Sequence, residues 1–255
     1  MKRFFSGMVI ETLDRLGLKV IPKWRWREYP LATLTREIFS LLSVDCVLDV
    51  GANKGQYAQF LRKHVDYKGE ILSFEPIPNL AQALANRAKA DPFWHVFPCA
   101  LGAKEEYRPI NVTDGSTLHS FLTPVPSGVD YIDQLNKVIR SEMVPVRTVD
   151  SILNERKSFG KKSIFLKMDT QGYDQEVMQG ATESLHHISA LQTEISCLPI
   201  YKDMKNYVQS LAFLQKMGFD TIGMIPVNRD KWLRVVEYDC LAINRIHIND
   251  PFKVE

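Results

Sequence analysis

The chain has 255 residues, of which 45% are hydrophobic and 24% charged, and its 32 basic and 30 acidic side chains leave a formal charge of +2. That length fits one α/β domain with decorations, and the apolar share can build a sizeable core, which excludes a disordered tail. The two charge signs are interleaved with no basic stripe, which argues against a nucleic-acid partner.

Residues 1–43 read as an N-terminal helical arm in two pieces. Phe4, Phe5, Met8, Val9, Leu13 and Leu16 recur at helical spacing. Glu11, Thr12, Asp14, Arg15 and Lys19 interrupt them, so the segment is neither a signal peptide nor a membrane span. A stripe of this kind packs on its own domain or on a sister subunit, giving a homodimer, or attaches shallowly to a membrane surface. Trp24-Arg25-Trp26-Arg27, between Pro22 and Pro30, reads as a patch anchoring the arm to the core, with a sugar-stacking platform as the alternative. Cys46, Cys99, Cys197 and Cys240 lie in or beside apolar runs without a C-x-x-C pair. They are expected to be reduced and packed as small hydrophobes, in a cytoplasmic protein that can reach the inner face of the membrane.

A domain covering 44–255 follows. Apolar runs at Cys46–Val50, Glu70–Glu75, Phe93–Pro98, Ile164–Met168 and Ala190–Ile195 alternate with helical stretches at Tyr57–Lys63, Asn79–Ala90, Asp174–His186 and Tyr207–Met217. Such alternation builds a parallel sheet covered by helices on both faces. Phe219–Ile225 and Glu237–Ile243 lack an intervening helix and favour a terminal antiparallel hairpin. The expected fold is α/β and Rossmann-like: a seven-stranded, mostly parallel sheet ending in that hairpin. An insertion at about 105–150 breaks the rhythm, with short strands at Tyr107–Val112 and Val144–Thr148 around a polar loop and a helix-like stretch.

The strongest local signal is Asp49-Val50-Gly51-Ala52-Asn53-Lys54-Gly55, which closes a strand and opens a helix. Gly51 and Gly55 allow a tight turn and a close approach of backbone to ligand. A dinucleotide site would read G-x-G-x-x-G, but position 53 is Asn. Asp49 would repel a diphosphate, whereas S-adenosylmethionine (SAM) carries a cationic ammonium and sulfonium. Glu75-Pro76 ends the second strand, where an acid accepts hydrogen bonds from ribose hydroxyls. Ala100 and Leu101 follow the third strand and would pass beside an adenine. The candidate cofactor contacts are Asp49, Gly51, Ala52, Asn53, Gly55, Tyr57, Glu75, Pro76, Ala100, Leu101 and Asp169.

Together with Leu166-Lys167-Met168-Asp169-Thr170-Gln171-Gly172-Tyr173-Asp174, Gly180-Ala181 and the segment at 144–153, these motifs resemble the FkbM family of methyltransferases over about residues 44–245. The resemblance implies a class I methyltransferase fold, SAM as cofactor, and transfer to an oxygen, often a hydroxyl of a sugar, glycolipid or secondary metabolite. Gln171 departs from the commoner family pattern, which has an acid there. The variant resembles members associated with polysaccharide or glycolipid assembly.

Transfer to a hydroxyl needs a general base, an acidifying metal, or both. Asp169, at the end of the fourth strand, is the first candidate for base or SAM ligand. Glu194 ends the next strand and could join it around a divalent cation such as Mg²⁺. His119 in the polar loop suits a base near neutral pH. Lys167 pairs with a carboxylate or approaches substrate, and Gln171 and Tyr201 orient the acceptor. His186 and His187 close a helix and carry no assigned chemistry. The expected activity is SAM-dependent O-methyl transfer to a small-molecule or glycan hydroxyl. Its rivals are an NAD-dependent oxidoreductase and a non-catalytic nucleoside-binding module in a glycan-assembly complex.

Overall fold

A computed structural model describes residues 12, 13, 15–18, 21, 23, 26, 28–156 and 163–248. In chain order the elements are α1 (Tyr29–Leu41), β1 (Cys46–Val50), α2 (Gln56–Phe60, continued by a π-helical turn Leu61–Val65), β2 (Glu70–Phe74), α3 (Pro78–Ala88), β3 (Trp94–Phe97), β4 (Ala100–Leu101) and β5 (Glu106–Thr113). There follow α4 (Asp130–Leu135), β6 (Val138–Arg147), α5 (Val149–Glu155), β7 (Ile164–Met168), α6 (Asp174–Gln179), β8 (Ile188–Ser196), α7 (Tyr207–Lys216), β9 (Phe219–Arg229) and β10 (Val235–Asn244).

Seven strands form one sheet in the order β3-β2-β1-β7-β8-β10-β9. The pairs β1–β2, β1–β7, β2–β3 and β7–β8 are parallel, whereas β10 runs antiparallel to both β8 and β9. The central strands are apolar throughout because both faces are covered. On one face Leu48, Val50, Leu166 and Leu191 pack with Val149 and Ile152 of α5, Val177 of α6 and Leu214 of α7. On the other, Val47, Ile71, Phe165 and Leu241 pack with Ile38 and Phe39 of α1, Ala58 of α2 and Leu84 of α3. The two-residue period of a strand sends alternate side chains to these two layers. This is the expected class I methyltransferase architecture, hairpin included. The hairpin strands are longer than expected, and only five residues (230–234) join them.

The two strands expected in the insertion are present and assemble further than expected: β5 pairs antiparallel with β6, and Ala100–Leu101 adds a parallel edge, giving a second, three-stranded sheet. Both strands outrun the periodic apolar signal because their outer faces carry exposed residues such as Tyr107, Ile139 and Met143. The helix expected to reach His186 stops at Gln179. Gly180, which ends it, sits against the backbone of Gly102, where an added Cβ would lie 2.0 Å from the carbonyl oxygen, so only glycine fits. Of the Trp24–Arg27 cluster only Trp26, 67% exposed, lies among the described residues. The apolar stripe before it, apart from Leu13 and Leu16, lies outside the described residues.

None of the four cysteines forms a disulfide, and Cys46, Cys99 and Cys240 are buried as small hydrophobes. Among the described residues no helix is long and apolar enough to cross a membrane.

Candidate active site

Register aligns a polar row across the sheet just below its carboxyl edge. Asp49 stands opposite Ser73 on one side and Lys167 on the other, and Lys167 stands opposite Gln192. All four side chains point to the α1–α2 face. Asp49 is fully buried, accepts from Ser73 Oγ at 2.9 Å and lies 3.5 Å from Lys167 Nζ. Burial pushes the Asp49 carboxyl up, and the Lys167 ammonium opposes that. For Lys167, burial alone would lower the pKa, but the carboxylates of Asp169 and Asp49 outweigh it and hold the ammonium charged.

Above this row a cavity of about 370 Å³ opens at the carboxyl edge of the strands, where open α/β sheets bind ligands. Its walls bring together Gly51, Ala52, Asn53, Tyr57, Glu75, Pro76, Ala100, Leu101, His119, Lys167, Asp169, Gln171 and Glu194, all singled out in the sequence. Asp49 and Gly55 do not reach it. Asp49 is therefore a buried counter-ion for Lys167, and the acids that face the cavity are Glu28, Glu75, Asp169, Glu194 and Asp239.

The loop glycines make the expected tight turn. Gly51 and Gly55 have φ of 77° and 79°. A Cβ on Gly51 would lie 2.0 Å from the Asp169 carbonyl oxygen, and one on Gly55 would lie 2.7 Å from the Trp94 ring. What comes close to these glycines is the protein itself. Gly51 lets the loop lie against the end of β7, and Gly55 lets α2 enter over β3.

Glu75 is held for a ligand in a different way. One carboxylate oxygen accepts from Asn53 N–H at 2.8 Å and the other from Ile77 N–H at 2.9 Å. Each oxygen keeps a lone pair. Burial pushes its pKa up to about 7, while the two backbone N–H groups pull the other way. In the same wall Asn53 Oδ1 is buried with no hydrogen-bond partner. An orphaned acceptor and a doubly seated carboxylate side by side form a receptor for hydroxyl and N–H donors.

Residues 49–221 match the methyltransferase FkbM domain, which is more than half of the chain. The chain belongs to the FkbM methyltransferase family. No curated protein matches it in sequence. Among solved structures it is similar to the fibrillarin of Aeropyrum pernix in complex with natively bound S-adenosyl-L-methionine, at 11% identity and a TM-score of 0.47, over 86% of this chain and 76% of that one. A SAM-dependent methyltransferase from Aquifex aeolicus has 12% identity and a TM-score of 0.43, over 92% and 97%. Precorrin-6y C5,15-methyltransferase from Geobacter metallireducens has 10% identity and a TM-score of 0.43, over 84% and 87%.

As a SAM-dependent methyltransferase, the FkbM protein must accommodate a cationic donor, and its cavity fits one. Asp169, whose side chain is 42% exposed, takes Lys167 Nζ at 3.3 Å on one oxygen and Gln171 Nε2 at 3.1 Å on the other. The same Gln171 nitrogen donates to Glu194 at 3.0 Å. Gln171 has φ of 54°, and its backbone carbonyl accepts from Ser120 Oγ, so an otherwise strained conformation is clamped. The amide between Asp169 and Glu194 fills the place expected for a magnesium ion. Among the described residues no group of three or more His, Cys, Asp or Glu is arranged to hold a metal. Glu194 is pushed well up by burial and by Glu237, Asp169 and Asp239 around it.

Two further expectations shift. His119 lines the cavity, but its Nδ1 accepts from Thr113 N–H at 3.1 Å, so the neutral ring carries its hydrogen on Nε2. Burial and Arg140 hold its pKa below the usual value. Tyr201 is buried away from the cavity, its hydroxyl shared between the Leu118 carbonyl at 2.9 Å and Gln171 Oε1 at 3.1 Å, so it positions Gln171.

The sequence reading missed Gln192 and Asp239. Tyr57 donates to Gln192 Oε1 at 2.8 Å, and Gln192 Nε2 donates to Asp239 Oδ1 at 2.9 Å. A signal for Asp239 existed: if the last strand is antiparallel, it begins at the carboxyl edge, and its first residues face the site. Phe121 and Tyr173, 4.8 Å apart with Arg108 over both rings, add an aromatic wall that only the folded insertion creates.

Proposed function

We propose that this FkbM methyltransferase transfers the methyl group of SAM to a hydroxyl, in a sugar of a glycolipid, polysaccharide or glycosylated metabolite. The observation that carries this reading is Asp169: a carboxylate open to the cavity, fixed between a cation and an amide.

SAM, when bound, supplies an electrophilic methyl carbon on a positively charged sulfur. Glu75 and Asn53 would take donors from the ribose, and Ala100, Leu101 and the aromatic wall would flank the base. The acids of the edge complement the donor's positive charge. Asp169 would take the proton of the acceptor hydroxyl as that oxygen is methylated. Lys167, 3.3 Å away, holds the Asp169 side chain in place for that role. His119 is a donor through Nε2 and would orient the acceptor, together with Gln171. Glu194 accepts from Gln171 and holds it in place. The acceptor half of the cavity, with Gln171, Gln192, Asp239, His119 and Ser116, presents the mixed donors and acceptors that suit a polyhydroxylated ring.

The test uses labelled SAM with hydroxylated glycan acceptors. Asp169→Asn should lose about 10²–10⁴-fold in kcat while SAM affinity stays within a few-fold. A methyl group delivered to nitrogen or carbon, or full turnover by the Asn variant, would reject the assignment.

A further inference from the structure

The β9–β10 hairpin reaches past the edge that carries the cavity. Glu237 pairs with Ser196, the last residue of β8, so residues 230–234 lie beyond the carboxyl end of the parallel strands. Val227, on the rising strand, lines the cavity. The tip therefore stands beside the cavity mouth.

Two large apolar side chains occupy this tip. Trp232 is 72% exposed and Leu233 73%. Leu233 has φ of 65°, a conformation that branched, bulky residues rarely hold. It persists because the loop is laced from beneath. Asp230, nearly buried, accepts from Trp232 N–H at 2.9 Å, Arg234 N–H at 2.9 Å and Arg234 Nε at 2.7 Å. Arg229 closes the other side by donating to the Leu233 carbonyl at 2.8 Å. The two apolar groups are thus presented on a pre-organised turn, which loses little entropy on docking. Around them stand three cations, Arg229, Lys231 and Arg234, against the single carboxylate of Asp230, and Lys231 Nζ lies 5.8 Å from the Trp232 ring.

We propose that this tip docks on an anionic lipid surface, Trp232 and Leu233 entering the headgroup region and the three cations resting on the anionic headgroups, so that the cavity mouth faces the membrane. Tryptophan favours the bilayer interface because its ring is apolar and its N–H polar. Basic residues beside it are drawn to anionic headgroups and not to zwitterionic ones. An acceptor carried on a lipid would then meet the site without leaving the bilayer. Docking is read without turnover, so it stands or falls separately from the methyl-transfer assignment.

Cosedimentation of the full chain with vesicles of phosphatidylcholine alone, or with a quarter phosphatidylglycerol, tests this. The wild type should bind the anionic vesicles about tenfold better than the neutral ones, and high salt should abolish the difference. Trp232→Ala/Leu233→Gly should lose that binding while keeping the wild-type thermal transition and SAM affinity, since glycine accepts the turn's positive φ. Lys231→Glu should weaken binding with the apolar pair intact. Equal binding to both vesicle types, or retention by the double variant, overturns the proposal. So would wild-type dimers in solution that the double variant abolishes, which would give the tip to a second copy.

Discussion

Glu75 sits at the boundary between ionised and neutral at physiological pH, because burial has raised its pKa to about 7. Ribose hydroxyls donate to the ionised form and favour it. Below pH 7 a proton must leave before the ligand binds, so SAM affinity should fall about tenfold per pH unit there and level off above. Calorimetric titration between pH 5.5 and 8.5 should show that inflection, and Glu75→Gln should lack it. Lys167 makes a separate prediction. Lys167→Met leaves Asp49 buried without its cation, which should cost about 3–5 kcal/mol of stability. Asp49→Asn in the same chain should restore most of the loss in urea unfolding. At this scale the sequence showed which residues end strands, and strand parity placed Lys167 and Asp169 on one face. It did not show that the loop lies over Asp49, because that depends on how closely Gly51 packs against β7.

The loop between β1 and α2 is shaped by contacts with β7 and β3. Gly51→Ala places a Cβ against the Asp169 carbonyl at a positive φ, so the loop must move at the point where it lines the cavity. SAM affinity should fall at least about tenfold, along with the thermal transition. Gly180→Ala meets a backbone oxygen too, but away from the cavity. It should lower Tm by several degrees, on the order of 2–4 °C per kcal/mol for a chain of this size, with SAM affinity unchanged. Elements with two covered faces or a capping box, such as β1, β7 and α7, were legible from periodicity and Asn206. The β5–β6 pair was legible only in part, because an exposed outer face gives no continuous apolar run. The end of α6 was not legible, because it depends on Gly102, far away in sequence.

Across the whole molecule, the antiparallel last strand brings Glu237 beside Glu194, and burial with neighbouring acids raises both carboxyls. The folded chain therefore holds a proton there that the unfolded chain releases above the ordinary glutamate range. Stability from this pair is present at pH 5 and declines as pH rises through about 7. Glu237→Gln should be more stable than wild type at pH 8 and gain little at pH 5, which thermal melts at the two pH values will show. The reversed ending was legible from the missing helix between the last two strands, whereas the strand order came only with the fold. The measurement that bears most directly on the central claim is equilibrium binding of SAM and NAD to the wild type and to Glu75→Ala. SAM should bind the wild type, lose at least about tenfold in affinity with the variant, and meet no competition from NAD. Unchanged SAM affinity in the variant, or displacement of SAM by NAD, would contradict the account.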